Sequence, residues 1–421
     1  MSTSRFKRGL KGILVYGTII AVTLVVLDVI CMALDLFPPR HNFGDPELGW
    51  RSAPVTGRMT FGQCLAFESN TTIRYPRNED GIRTAVPKQQ ILADTHTVRI
   101  GATGDSQTDL CATNENLHST IAGVELTKLG IPAITLTFGS GRYSPLQAYM
   151  AFRQVVKPYN PRVLILNVYT GNDLYDILRS DDRPHLEHGD SGYTIAPPVW
   201  FSLDDPADPG KSRILYAARL LGDKSGIRSI YFRFNELRRL GAAHGGGIGD
   251  VVGYMRDLWK AREPSVGYPD AFSAQMLNQQ LFFHHFPSAQ AESMRRMAWL
   301  MELIRAENPG MILMMSPIPS YELVGEQPVD PALTRTLSRL PITRAEGIAQ
   351  EGALYRQLDS LAGAQGWLFV DNLKALQALH PGGRLYNDFD YHLLPVASAA
   401  VGAGEAAALR SVLAPPEPAR R

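Results

Sequence analysis

The sequence predicts an α/β protein in which a parallel sheet is covered by helices on both faces. Two observations carry this. Five short apolar runs, at 98–103, 134–138, 163–168, 311–315 and 368–370, are continuous rather than alternating, as strands buried on both faces must be. Helical patterns separate them, at 116–128, 146–156, 289–307 and 354–364. Strands that alternate with helices pair in parallel, and parallel sheets carry their active residues at the carboxyl ends of the strands. A last helix is expected over about 397–413, before a Pro-rich, charged tail at 414–421 that reads as disordered.

The strand ends hold the chemistry. Gly104, Asp105 and Ser106 follow the first run. Gly139, Ser140 and Gly141 follow the second, and Gly171, Asn172 and Asp173 follow the third. Far downstream, Asp390, Tyr391 and His392 precede the last helix. A serine at the exit of a buried strand, with a histidine and a carboxylate from a distant segment, is what nucleophilic acyl transfer requires. Each piece has a plain structural reading in isolation: Gly139 and Gly141 as turn residues, Asn172 and Asp173 as helix N-caps, His392 as a structural histidine.

Taken in order, Ser106, Gly139, Asn172 and the Asp390/His392 pair resemble the four signature blocks of the SGNH hydrolases, also called GDSL-type esterases. The resemblance covers roughly 98–178 and 289–413. It includes Gln107, Thr108 and the 115–118 segment after the serine, and Tyr143, Ser144, Pro145 and Gln147 at the end of the second block. Thr137 stands where many members have Asn, Asp390 lies two residues before His392 where three is common, and Ala397 and Ser398 replace a frequent Gly and His. These departures argue against a narrow subfamily.

The resemblance implies a three-layer α/β/α fold with a flavodoxin-like parallel sheet and a serine esterase activity needing no cofactor and no metal. In the implied mechanism Ser106 attacks an ester carbonyl, and His392 takes its proton and returns it to the leaving alcohol. Asp390 holds the imidazole tautomer, with Asp388 as the substitute if local geometry favours it. Ser106 N–H, Gly139 N–H and the Asn172 amide would form the oxyanion hole, glycine leaving the backbone approachable by substrate.

Domain organisation follows from the rest of the chain. Arg5, Lys7, Arg8 and Lys11 in a cytoplasmic 1–11 segment precede an apolar stretch at 12–36 whose only charges are Asp28 and Asp35. That length crosses a hydrocarbon core of about 30 Å. The basic side should stay in the cytoplasm, placing the remainder outside a cytoplasmic (inner) membrane. A cleaved signal peptide competes, but no clear cleavage pattern follows the apolar run. Residues 37–97 read as a small β-rich appendage, resembling stretches of membrane-tethered bacterial SGNH proteins. The hydrolase-like domain spans 98–413, with an insertion at about 180–287 where the alternation breaks.

With 421 residues, 45% of them hydrophobic, the chain can bury a large core, and a net charge of +1 offers no footprint for nucleic acid. Of three cysteines, Cys31 lies in the apolar stretch, while Cys64 and Cys111 can bridge or stay as free thiols. The His185, His188 and Asp190 cluster falls in an expected loop and does not read as a metal site. The expected partners are the lipid bilayer and an acyl ester, by location an O-acetyl group on an extracytoplasmic glycan. An O-acetyltransferase, or a catalytically silent component of envelope polysaccharide assembly, remains open as an alternative.

Overall fold

The computed structural model describes residues 43–45, 47–51, 61–66, 71–180, 183–189, 192–198, 285–326, 341–387 and 391–414, with helical positions at 16, 18–20, 22–23, 26, 249–250, 252–253 and 256. The chain divides into two units, 1–41 with 200–239 and 42–199 with 240–421, and the second holds the sheet.

Strands β1 (Phe43–Asp45) and β2 (Gly49–Arg51) form an antiparallel hairpin, and β3 (Phe61–Ala66) and β4 (Thr71–Pro76) form another. Helix α1 (Lys88–Ala93) leads into β5 (Val98–Gly104), α2 (His118–Lys128) and β6 (Ala133–Gly139). Then come α3 (Pro145–Ala151), β7 (Val163–Tyr169), the short α4 (Asp173–Asp176) and the hairpin of β8 (His185–Gly189) and β9 (Gly192–Ala196). The remainder comprises α5 (Ser288–Glu307), β10 (Ile312–Ile318), α6 (Tyr321–Val324) and α7 (Arg344–Ala364), then β11 (Leu368–Phe369), α8 (Asn372–Leu379) and α9 (Pro395–Leu413).

The main sheet has the order β11-β10-β7-β5-β6, parallel at every pairing. Counted along the chain this is 2-1-3-4-5, the flavodoxin-like winding, and the order reverses between β5 and β7. All five apolar runs are strands of this sheet, each within a few residues of its expected bounds. β7, the central strand, is buried along its whole length. The predicted helix at 146–156 is α3 followed by a π-helical turn at Phe152–Val156. Helix α7 starts ten residues before the apolar pattern, at a capping box in which Thr343 and Glu346 satisfy each other's backbone N–H groups.

Helices cover both faces. On one face Ala102, Ile165 and Met314 from the strands meet Ala122 and Leu126 of α2 and Leu409 and Leu413 of α9. On the other, Gly101 lies against Val156 and Phe152. Among the described residues, α9 is the helix apolar and long enough to cross a membrane, yet Ala397, Val401, Ala406 and Leu409 on it are buried in this core. The expected loop around His185 and His188 is instead strand β8. The two histidines are an odd number of residues apart, so they face opposite sides. His185 Nε2 lies 3.1 Å from Glu187 Oε1, and the His188 ring packs on Tyr193 with centroids 4.5 Å apart. Asp190 lies outside the described residues, as do the expected helical patches at 214–221 and 230–240 and most of that at 252–259.

Gly402 lets α9 and α2 touch backbone to backbone. A Cβ there would stand 2.4 Å from the His118 carbonyl oxygen and 2.8 Å from Ile121 Cβ. Gly402→Ala should therefore lower stability by about 1 to 3 kcal/mol through overpacking. Gly363→Ala in α7, where the added methyl meets nothing within 4 Å, should leave stability unchanged or slightly raised. Urea unfolding midpoints of the two variants check this; equal losses would contradict the packing.

Candidate functional site

The site lies at the carboxyl edge of β5, β6 and β7, where the winding reverses. β5 ends at Gly104 and β6 at Gly139, paired in register. A Cβ on Gly104 would sit 2.1 Å from Thr108 Oγ1 and 2.9 Å from Asn167 Cβ. One on Gly139 would sit 2.9 Å from the Asp105 carbonyl oxygen and 3.0 Å from that of Gly104. Only bare backbone at both positions lets the chain fold straight into the tight turn that carries Ser106. That turn closes by hydrogen bonds from Thr108 N–H and Asp109 N–H to the Asp105 carbonyl (3.2 and 3.1 Å), while Gln107 N–H donates to Asp105 Oδ1 at 2.9 Å. Ser106 is half-buried, and a Cβ on Gly141 would lie 3.9 Å from Ser106 Cβ.

His392 is tied to this turn. The Gln107 side chain donates from Nε2 to the Tyr391 carbonyl at 3.1 Å and accepts at Oε1 from Leu393 N–H at 3.2 Å. Nearly three hundred residues of chain are thereby closed onto the residue next to Ser106. The histidine segment also folds on itself: Asn387 N–H donates to the His392 carbonyl at 2.9 Å, Tyr391 N–H to Asn387 Oδ1 at 3.1 Å, and Tyr386 bridges Leu393. Tyr391 adopts a left-handed φ of 54° and stacks on Tyr321 with ring centroids 4.3 Å apart. Asp388 and Asp390 lie outside the described residues.

Asn172 occupies the N-cap position of α4, but its side chain makes no cap. Its amide donates to Asp176 Oδ2 at 2.7 Å and has a long contact of 3.4 Å with Asp173 Oδ1. Asp176 is in turn held by Arg179 and Arg183 at 3.2 and 3.1 Å. Both contacts are made by the Asn172 Nδ2 group, the shorter one to Asp176. The sequence reading missed Asp176; its i+4 spacing from Asn172 was the available signal.

Three buried carboxyls converge here. Burial pushes Asp105 up to about 6, against the Gln107 N–H bond and the nearby His392 charge, which favour its ionised form. Asp173 is raised well above the carboxylate range by burial and by the charges of Asp105 and Asp176, although Tyr169 N–H donates to it at 2.9 Å. A fourth acid, Asp109, behaves oppositely. Burial would raise it, but Arg77 and Arg83, each 2.6 Å away, outweigh burial and hold it low. Those two arginines pin the segment before α1 to the end of the serine turn.

The β1–β2 hairpin completes the wall beside Gly141. Trp50 Nε1 donates to the Gly141 carbonyl at 3.2 Å, Tyr143 Oη to the Trp50 carbonyl at 2.7 Å, and Gln147 Nε2 to the Leu48 carbonyl at 2.8 Å. The Arg183 guanidinium lies 5.2 Å from the Trp50 ring and donates to the Arg142 carbonyl at 3.2 Å. These bonds hold Arg142 at a φ of 68°, which is unfavourable for a residue with a Cβ. Behind the next strands, Glu351 accepts from Ser320 N–H (3.0 Å), Ser320 Oγ (2.6 Å) and Thr170 Oγ1, clamping the ends of β7 and β10 together.

No protein-family model and no curated protein matches the sequence. Among solved structures the chain is similar to an acetyl xylan esterase, AlAXEase (12% identity, TM-score 0.34), over 74% of this chain and 100% of that one. It is also similar to the lipase/acylhydrolase from Enterococcus faecalis (12%, TM-score 0.31; 75% and 96% covered). A third is a catalytic mutant of an acetylxylan esterase from Geobacillus stearothermophilus (11%, TM-score 0.32; 75% and 94%). Overlaps this loose carry no argument about chemistry, which rests on the residues above.

The raised Asp105 carboxyl has a pH signature. An exposed aspartate ionises near 3.9, and in the folded protein Asp105 keeps its proton up to about 6. Its contribution is therefore fully present below the lower value and lost as pH rises through the upper one. Asp105→Asn keeps an acceptor for Gln107 N–H and cannot ionise. The melting temperature of the wild type minus that of Asp105→Asn should fall between pH 4 and pH 7, and a flat difference would place Asp105 in a solvated setting.

Proposed function

We propose that the chain is a serine esterase of the SGNH type, hydrolysing an O-acyl ester. The observation that carries this reading is the pair of hydrogen bonds, one donated and one accepted, that the Gln107 side chain makes on either side of His392, which joins the turn of a strand-exit serine to a remote histidine segment at the switch point of a parallel sheet. In this reading Ser106 is the nucleophile and His392 the base that later returns the proton to the leaving alcohol. Asp390 orients the imidazole, and Ser106 N–H, Gly139 N–H and the Asn172 amide receive the oxyanion. The bond that Asn172 Nδ2 donates to Asp176 supports the last role, because a donor already held in place costs no reorganisation as charge develops.

The test uses the full chain in detergent, with a fluorophosphonate probe and 4-nitrophenyl acetate. Ser106→Ala should abolish labelling and turnover. Asn172→Ala should label slowly and lose about 2.7 to 4 kcal/mol of transition-state stabilisation while staying folded. Labelling that survives in Ser106→Ala sinks the assignment.

The reading extends to place and substrate. Cys111 is disulfide-bonded, which favours an oxidising compartment. Tyr16, Ile19, Ile20, Val22 and Val26 are helical and exposed, an apolar surface that suits lipid. A single N-terminal anchor with the catalytic domain outside a bacterial inner membrane accounts for both, and brings exported or envelope glycans within reach as O-acetylated substrates. The protein should stay in the membrane pellet after carbonate washing, with the C-terminal domain cut by protease from the outer side alone; release of a soluble form would refute the anchor.

A further inference from the structure

We propose that Gln107 is the positioning residue for the histidine: its side-chain amide sets where His392 stands relative to Ser106 during acyl transfer. This rests on the esterase reading and adds to it a residue that the triad and oxyanion hole do not include. Gln107 is 1% exposed, and both ends of its amide are used. The Tyr391 carbonyl belongs to the peptide plane before His392 and the Leu393 N–H to the plane after it. Each peptide unit is rigid, so holding both planes fixes φ and ψ of His392 and with them the direction of its Cα–Cβ bond. The other end of Gln107 is fixed as well, its own N–H donating to Asp105 Oδ1 at 2.9 Å within the serine turn. One residue thus carries the geometry of the nucleophile turn directly to the base.

The chemistry demanded of the side chain is narrow. It must donate to a carbonyl and accept from an N–H at once, from a four-atom reach, inside the protein. A glutamate carboxylate accepts but cannot donate, methionine fills the same space and does neither, and asparagine does both but is one methylene short. Tyr391 needs such a tether because its left-handed φ of 54° is not one that a residue with a Cβ adopts freely.

The experiment compares Gln107→Met, Gln107→Glu and Gln107→Asn with the wild type and with Ser106→Ala in the full-length protein, by turnover of 4-nitrophenyl acetate across pH, fluorophosphonate labelling rate and melting temperature. In Gln107→Met, kcat should fall by about tenfold to a hundredfold, the scale of a misplacement near 1 Å. KM should stay within about twofold, since substrate binding is untouched when only the reacting geometry is lost. The labelling rate should fall in step with kcat. Gln107→Glu should in addition move the acidic limb of the kcat/KM profile to higher pH, because a carboxylate beside His392 stabilises the imidazolium. Gln107→Asn should resemble the methionine variant, and it keeps the buried polar group, so a loss there cannot be assigned to misfolding if the melting temperature holds. Near-wild-type kcat in any variant that melts normally overturns the proposal, as does a loss confined to KM. Turnover that persists in Ser106→Ala would instead bring down the esterase reading itself.

Discussion

The missing Cβ atoms at Gly104 and Gly139 constrain everything at the edge of this sheet. A parallel strand normally leaves its sheet through a loop that must first clear its neighbours. Here the two strands end in register on glycine, so the backbone after β5 packs directly over the end of β6. The requirement is steric rather than torsional, since neither residue has a positive φ. The result is a serine turn pressed into the floor of the site, with its side chain beside Gly141 and its backbone bonded closely enough to resist movement. Trp50 and Arg183 then fix the Gly141–Arg142 step from above, which makes the N-terminal hairpin part of the site wall.

That compactness has an electrostatic cost. Asp105, Asp173 and Asp176 crowd under the turn, and burial raises the first two as the low dielectric penalises their charge. Arg179 and Arg183 offset part of this through Asp176, and His392, when protonated, offsets part through Asp105. A carboxyl that stays protonated can still accept from N–H groups, so the acids serve as fixed acceptors for Gln107, Tyr169 and Asn172 whether or not they are charged. The same groups that weaken the fold with rising pH therefore hold the site's backbone and amide groups in place.

What the sequence discloses follows from which interactions are periodic or local. The five sheet strands were legible because burial on both faces forces unbroken apolar runs. Ser106, Gly139 and Asn172 were legible as candidates because each follows the end of a sheet strand. The first half of α7 was not, because Ile348 is its one large aliphatic residue and only the Thr343/Glu346 box marks its start. The β8–β9 hairpin read as a loop for a similar reason: of its residues only His185 and Leu186 are buried, leaving no apolar alternation to follow. The tethering role of Gln107 and the clamp at Glu351 escaped for a different reason. Each acts through side-chain bonds whose partners are set by topology and lie far away in sequence, so no spacing rule points to them.

The serine and histidine segments are joined at two depths, and the second explains why the first can be so economical. Helix α2 follows the serine turn and helix α9 follows the histidine. Below the site His118 Nδ1 of α2 lies 3.0 Å from Glu405 Oε1 of α9, both side chains fully enclosed. Ser316 Oγ of β10 donates to the same carboxylate at 2.7 Å, and Asn372 Nδ2 donates to Ser316 at 3.0 Å, drawing the sheet and α8 into one network. Beside it Gly402 brings the α9 backbone against the His118 carbonyl. A buried polar network of this kind contributes less to net stability than to uniqueness, since any other helix packing would strand its charged and polar groups without partners. With α2 and α9 locked in one relative placement, a single amide, that of Gln107, is enough to bond the serine turn to the peptide planes on either side of the histidine.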